Sequence, residues 1–94
     1  MIGAARKRCV VAYAMRQRQF LWPVELHADA SIGDAIEAVR RREPHAQVPW
    51  DSAPVGIFGE IRSRTDIPVD GDRIELYRPL RADPKAQRRA RAQR

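Results

Sequence analysis

Residues able to do chemistry are few and scattered in this 94-residue chain. Its single cysteine, Cys9, cannot form an intramolecular disulfide or a zinc site built on cysteine pairs. Cys9 lies in the apolar run Cys9-Val10-Val11-Ala12, where a buried, inert thiol fits better than a nucleophile. The two histidines, His27 and His45, are separated by a helical segment, and no third ligand accompanies them, so they read as solvated loop residues. Asp70 and Asp72 flank Gly71, a pattern that turn chemistry explains better than paired acid–base carboxylates. No Ser/His/Asp order, phosphate loop or dinucleotide fingerprint is present. The expectation is a protein that is not an enzyme, with no catalytic residue, no metal ligand and no cofactor.

Binding chemistry is better represented. The chain carries a formal charge of +6, and Arg81 to Arg94 alone carries +5, so residues 1–80 are close to neutral. Spaced cations such as Lys85, Arg88, Arg89 and Arg91 can neutralise phosphates or meet an acidic protein. The segment has no aromatic residue on which a base could stack, which argues against sequence-specific RNA reading. Weak, non-specific contact with RNA or another anionic surface stays open, beside a purely solvated tail. Phe58, Tyr77 and Arg78 are candidates for a protein-contact surface, because aromatic and arginine side chains dominate binding hot spots. Trp50 either caps the core or faces a partner, and Tyr13 and Leu21 are open in the same way.

These residues need a frame. One domain is expected from the length, with a core of ordinary apolar content. Cys9 to Met15 is apolar at both parities and reads as a strand whose faces cannot be assigned. Arg16 to Arg18 is a hairpin connection. Phe20, Trp22, Val24 and Leu26 alternate with Gln19, Leu21, Pro23 and Glu25, giving a second strand with one apolar face. Pro23 places it at an edge. Ser31 is an N-cap with Asp34 three residues on, and Ile32, Ala35, Ile36 and Val39 form one helical stripe. Pro44 ends the helix. Val55, Ile57, Gly59 and Ile61 predict a third strand, with Phe58 on its opposite face and two glycines that suggest a bulge or close backbone approach. A very short strand around Ile67 is expected within Thr65 to Val69. Asp70-Gly71 is a tight turn, and Arg73 to Arg78 is the last strand, with Tyr77 opposite in parity to Ile74 and Leu76.

A single helix with one apolar stripe must cover one face of a mixed sheet, leaving the other face to water or a partner. The layout is α+β, a ubiquitin-like β-grasp of four or five strands. Residues 6–80 form the expected domain, and 81–94 a basic, disordered tail. No stretch approaches the roughly 18 apolar residues that span a bilayer. No secretory signal is apparent, so a cytoplasmic monomer is expected.

Several segments together resemble one family. They are Val11-Ala12-Tyr13-Ala14 with Gln19, then Val55-Gly56-Ile57-Phe58-Gly59, then Asp70-Gly71-Asp72-Arg73-Ile74-Glu75-Leu76-Tyr77-Arg78-Pro79-Leu80. Ala82-Asp83-Pro84-Lys85 and an arginine-rich end follow. In these the chain resembles the RnfH family of small bacterial ubiquitin-like proteins. The resemblance implies a β-grasp fold and no settled activity. It also implies an association with Rnf-type electron-transport operons in some bacteria, and with a START-like protein in a toxin–antitoxin-like pair in others. The turn at Asp70 to Asp72 and Pro79 also resemble those of sulfur carriers. Such carriers end in Gly-Gly, whereas this chain has Ala82-Asp83 and no later glycine. The reading that results is a non-enzymatic interaction module docking a protein partner. Its alternative is an RNA- or ribosome-associated, antitoxin-like regulator acting through the tail.

Overall fold

The computed structural model describes residues 5–15 and 17–78. Five strands and one helix occur there: β1 (Arg6–Ala14), β2 (Gln19–His27), α1 (Ile32–Arg42), β3 (Val55–Ile57), β4 (Glu60–Arg62) and β5 (Arg73–Leu76). The strands form one sheet in the order β2-β1-β5-β3-β4. β1 pairs antiparallel with β2 and parallel with β5, and the β3 pairings are antiparallel. This is the ubiquitin-like β-grasp that the pattern predicts. The basic residues Lys85, Arg88, Arg89 and Arg91 lie outside the described residues.

Helix α1 forms where its capping predicts. Asp34 donates its backbone N–H to Ser31 Oγ at 3.1 Å, and Ser31 N–H reaches Asp34 Oδ2 at 2.9 Å. Ile32, Ala35, Ile36 and Val39 are buried against the sheet. Full burial of an aliphatic side chain contributes about 1.5–3 kcal/mol. The register fixes what they meet. Trp22 lies opposite Val11, Val24 opposite Cys9, Val11 beside Ile74, and Val55 beside Leu76, so all share the helix-covered face. Tyr13 belongs to this core, not to the open face. Trp50 also closes the core, its ring 5.5 Å from Trp22. Trp22 in turn stacks on Phe20 and donates Nε1–H to Glu43.

Two expectations are corrected. Val55 to Ile61 is not one strand. The chain reverses at Phe58 and Gly59, whose φ angles are 49° and 82°. Positive φ at both central residues is the signature of the hairpin turn whose twist suits paired strands. Ile61 therefore pairs with Gly56 and faces away from Val55 and Ile57, the reverse of simple alternation. Residues 65–69 contain no strand; Pro68 is buried there, while Ile67 and Val69 are exposed. Proline removes a ladder donor, and this segment uses its polar groups in loop contacts instead.

One such contact carries a charge. Lys7 is buried on the inner face, and its Nζ donates to the carbonyls of Ala28, Ala30 and Pro68 at 2.8, 2.7 and 2.7 Å. All three ammonium donors are thus used, which offsets the cost of desolvating it. The side chain ties β1 to the connection before α1 and to the loop before β5.

Candidate partner interface

The face without the helix is built by residues of the other parity. One row crosses the whole sheet: Leu21, Ala12, Glu75, Gly56 and Ile61. Val10, Pro23 and Arg73 form the row below it. Small residues keep the middle low, since Ala12 is only 3% exposed although no helix covers it. Large apolar side chains stand at the flanks: Leu21 is 52% exposed and Ile61 65%, while Phe58, in the turn between β3 and β4, is 68% exposed. No helix of the described residues is long and apolar enough to cross a membrane.

Tyr77 follows β5 and lies across Gly56. A Cβ added at Gly56 would come within 2.6 Å of the Tyr77 hydroxyl and 2.7 Å of its ring, and would also collide with the Glu60 carbonyl. Glycine is required there by close approach, not by its backbone angles. The Tyr77 hydroxyl donates to Glu75 Oε1 at 2.8 Å, and Gly59 N–H donates to the same oxygen at 2.6 Å. One carboxylate thus holds both the ring and the hairpin tip that carries Phe58. Burial, then the hydrogen bond to Glu75 and its negative charge, push the Tyr77 phenol up to about 12. Arg73 Nε stands 3.5 Å from Glu75 Oε2, close enough for charge attraction but not placed for a hydrogen bond.

The strand edges offer less. Ala28 N–H bonds Ala5 and Met15 N–H bonds Arg18, so even-numbered residues of β2 face β1 and odd-numbered ones face the free edge. On that edge Pro23 has no N–H, and its carbonyl accepts from Arg42 Nη1 at 2.6 Å. Arg6 Nη2 reaches the Glu25 carbonyl at 3.5 Å. An added strand would meet a missing donor and an occupied acceptor in mid-edge, a common protection against unwanted pairing. β4 has three residues, too short to template a long partner strand.

The remaining sequence candidates do not converge. His27 ends β2 and His45 follows α1, and both are exposed. Among the described residues, no three of His, Cys, Asp or Glu gather as metal ligands would. Asp70 and Asp72 accept backbone N–H groups of Arg8 and Val69, as turn residues do. Burial pushes the Cys9 thiol above its usual range, with Asp72 and Asp70 adding to the rise against Lys7, so the thiolate is disfavoured. An open concavity of about 400 Å³ lies between the end of α1 and Trp50. Its rim charges Glu37, Arg40 and Arg41 pair with one another or with Asp51.

Of the residues singled out in the sequence, Tyr77 lies at this face across Gly56, Arg78 is exposed just beyond it, and Phe58 is exposed in the turn between β3 and β4. Tyr77 is half-buried rather than free. Leu21, left open by parity, joins the face. Close backbone approach, expected from the two glycines between Val55 and Ile61, is found at Gly56, whereas sequence reasoning missed Ile61, Arg73 and Glu75 as members of the face.

Comparison with known proteins agrees with this architecture. The chain is similar in fold to the small archaeal modifier protein 1 of H. volcanii, with a TM-score of 0.62 and 19% identity, covering 79% of this chain and 99% of that one. Caldiarchaeum subterraneum ubiquitin gives a TM-score of 0.61 at 16% identity, covering 83% and 99%. In sequence, Protein RnfH of Salmonella newport (strain SL254) is 43% identical over 83 residues, covering 88% of this chain and 86% of that protein. Protein RnfH of Salmonella enteritidis PT4 (strain P125109) matches to the same extent. A family model described as RnfH family Ubiquitin matches residues 8–91, and the chain belongs to that family.

Proposed function

We propose that this protein is a cytoplasmic, non-enzymatic docking module that presents its open sheet face to a protein partner. The observation that carries the reading is Phe58. It is a bulky aromatic residue held at φ 49° and left 68% exposed. Left-handed backbone is unfavourable for such a residue, and exposure returns no packing energy. The hairpin turn requires the positive φ, and the choice of an exposed aromatic rather than Asn or Gly for it supports a role for the ring in a complex. Residues 6–80 form the folded unit in this reading, and 81–94 add electrostatic attraction. The family's associations with Rnf-type electron transport and with a START-like protein name the first partners to try.

The test is affinity capture from the native cell with the wild-type chain, Phe58→Asn, and a chain ending at residue 80. Asparagine tolerates positive φ, so Phe58→Asn relieves strain while removing the ring. We expect its melting transition to hold or rise and its partner to be lost. Partner retention by Phe58→Asn, with loss on truncation, would move the function to the tail. Ribonuclease-sensitive capture would then favour the RNA- or ribosome-associated reading.

A further inference from the structure

We propose that residues 81–94, with Arg18 and Arg78 at the end of the domain they follow, bind the phosphate backbone of a nucleic acid without reading its sequence. This surface is separate from the open sheet face, and the inference does not rest on the docking reading. It rests on how the unpaired charges are sorted. Many ionic groups cancel in pairs: Arg6 and Arg8 with Glu25, Arg40 and Arg41 with Glu37 or Asp51, Arg62 with Glu60, and Arg73 with Glu75. Among the described residues, Arg18, Arg42, Arg64 and Arg78 have no carboxylate partner. Arg18 stands over the Phe20 ring at 5.6 Å, Arg42 donates to the Pro23 carbonyl, and Arg64 donates to the Ala53 carbonyl. Arg18 and Arg78 are exposed. The end of β5 lies beside Tyr13, which pairs with Phe20, and Tyr77 N–H bonds the Pro54 carbonyl next to Ala53. Arg18 and Arg64 therefore flank the end of β5 that leads into Arg78. Two strand spacings, about 10 Å, separate β5 from β2, which is about one Debye length. The unpaired aspartates Asp29, Asp34, Asp66, Asp70 and Asp72 lie at the other end, where β1 begins, β2 ends and α1 is capped. Lys7, the one unpaired cation there among the described residues, is buried. Glu43, the one unpaired acid away from that end, accepts from Trp22. The domain is thus neutral in sum but polar, and its cationic end continues into a segment of charge +5.

The composition of the segment selects the ligand. Residues 81–94 hold five arginines and one lysine against Asp83, spaced by alanine, glutamine and one proline. A polyanion with a charge on every unit meets such cations in any register, and guanidinium forks bond phosphate oxygens in pairs. A protein interface takes most of its energy from a buried aromatic or bulky apolar anchor, and alanine supplies none. A segment lying on a membrane gains from Trp, Phe or Leu among the acyl chains, and residues 81–94 have none of these. They also lack the aromatic rings on which bases stack, so contact stays with the backbone and sequence is not read. The aspartates at the far end add steering, because a polar domain turns its cationic end toward the polyanion.

The experiment is fluorescence anisotropy with the full chain and labelled poly-uridine or poly-adenosine RNA, across a salt series. Poly-glutamate and vesicles of mixed phosphatidylserine and phosphatidylcholine are the competing polyanions. The six cations of the segment, at about 0.7 each for a single strand, predict a log–log salt slope of about −4. Affinity should then fall roughly 300-fold between about 50 and about 200 mM salt, and the two RNAs should bind within about threefold of each other. A chain ending at residue 80 should lose at least about tenfold at the lower salt. The double variant Arg18→Gln/Arg78→Gln, with its melting transition showing an intact fold, should make the slope shallower by about one. Failure of the full chain to bind either RNA, or binding that survives truncation, would overturn the inference. An unchanged slope in the double variant would overturn the part given to the domain. Equal or tighter binding of poly-glutamate would reassign the surface to an acidic protein, and of vesicles to a membrane, and either result would overturn the choice of nucleic acid. A strong preference between the two RNAs would overturn backbone recognition.

Discussion

Tyr77→Phe tests whether the Glu75 carboxylate organises the open face. The substitution keeps the ring over Gly56 and deletes only the hydroxyl that donates to Glu75 at 2.8 Å. A hydrogen bond to a charged acceptor contributes about 1.5–3 kcal/mol, and partial exposure brings this one toward about 1–2 kcal/mol. The pH dependence follows from the raised phenol. Its folded value of about 12 exceeds the ordinary value of 10. An acid held neutral by folding contributes its full stability below the unfolded pKa. That contribution is then lost as pH rises through the window between the two values. Urea unfolding of wild type and variant at neutral pH should therefore differ by about 1–2 kcal/mol. The gap should close as pH rises from about 10 toward about 12, while absorbance reports late ionisation of one tyrosine in the wild type alone. Equal stabilities at neutral pH would refute the assignment of Glu75 as the organiser, and a gap that stays constant across that window would refute the raised phenol.

Two further perturbations address the frame. Lys7→Met keeps the aliphatic stem but strands three carbonyls, those of Ala28, Ala30 and Pro68. Only the Pro68 carbonyl is fully buried, and at about 1–3 kcal/mol for an unsatisfied buried group we expect a loss of about that size in chemical denaturation; a neutral outcome would mean water replaces the ammonium at no cost. Removing residues 81–94 should leave the thermal melt nearly unchanged, because apolar periodicity ends at Leu80; a collapse of the transition would show that the segment packs on the domain.

Legibility followed how far each segment depends on distant partners. Helix α1 was readable because cap, stripe and terminating proline are local and agree. β2 was readable because one of its faces meets water, so alternation survives in the sequence. β1 sits between β2 and β5, and its small Ala12 is buried on the open side, so apolar residues appear at both parities. The β3–β4 hairpin was missed because its turn is Phe58-Gly59, without the Asn or Asp that usually marks positive φ. The error moved Ile61 from the surface into an imagined core. Lys7 gave no signal at all, since its three acceptors are carbonyls supplied by loops 21 to 61 residues away.

The candidate face was half readable for a related reason. Phe58 and Tyr77 were found as aromatics of the wrong parity for a core, a property each shows alone. Glu75 and Arg73 take their roles only from the pairings of β5 with β1 and β3, which set them between Ala12 and Gly56 and beside Val10. The same pairings explain why the two aromatics are not equivalent. Tyr77 lies over a glycine that makes room for its ring, and its hydroxyl is fixed, so it belongs to the floor of the face. Phe58 stands on a two-residue turn with no comparable support, yet Gly59 N–H is pinned to Glu75. A turn fixed by such a hydrogen bond would lose less backbone entropy on binding than a free one. In the proposed docking reading, Phe58 is the anchor and Tyr77 the platform.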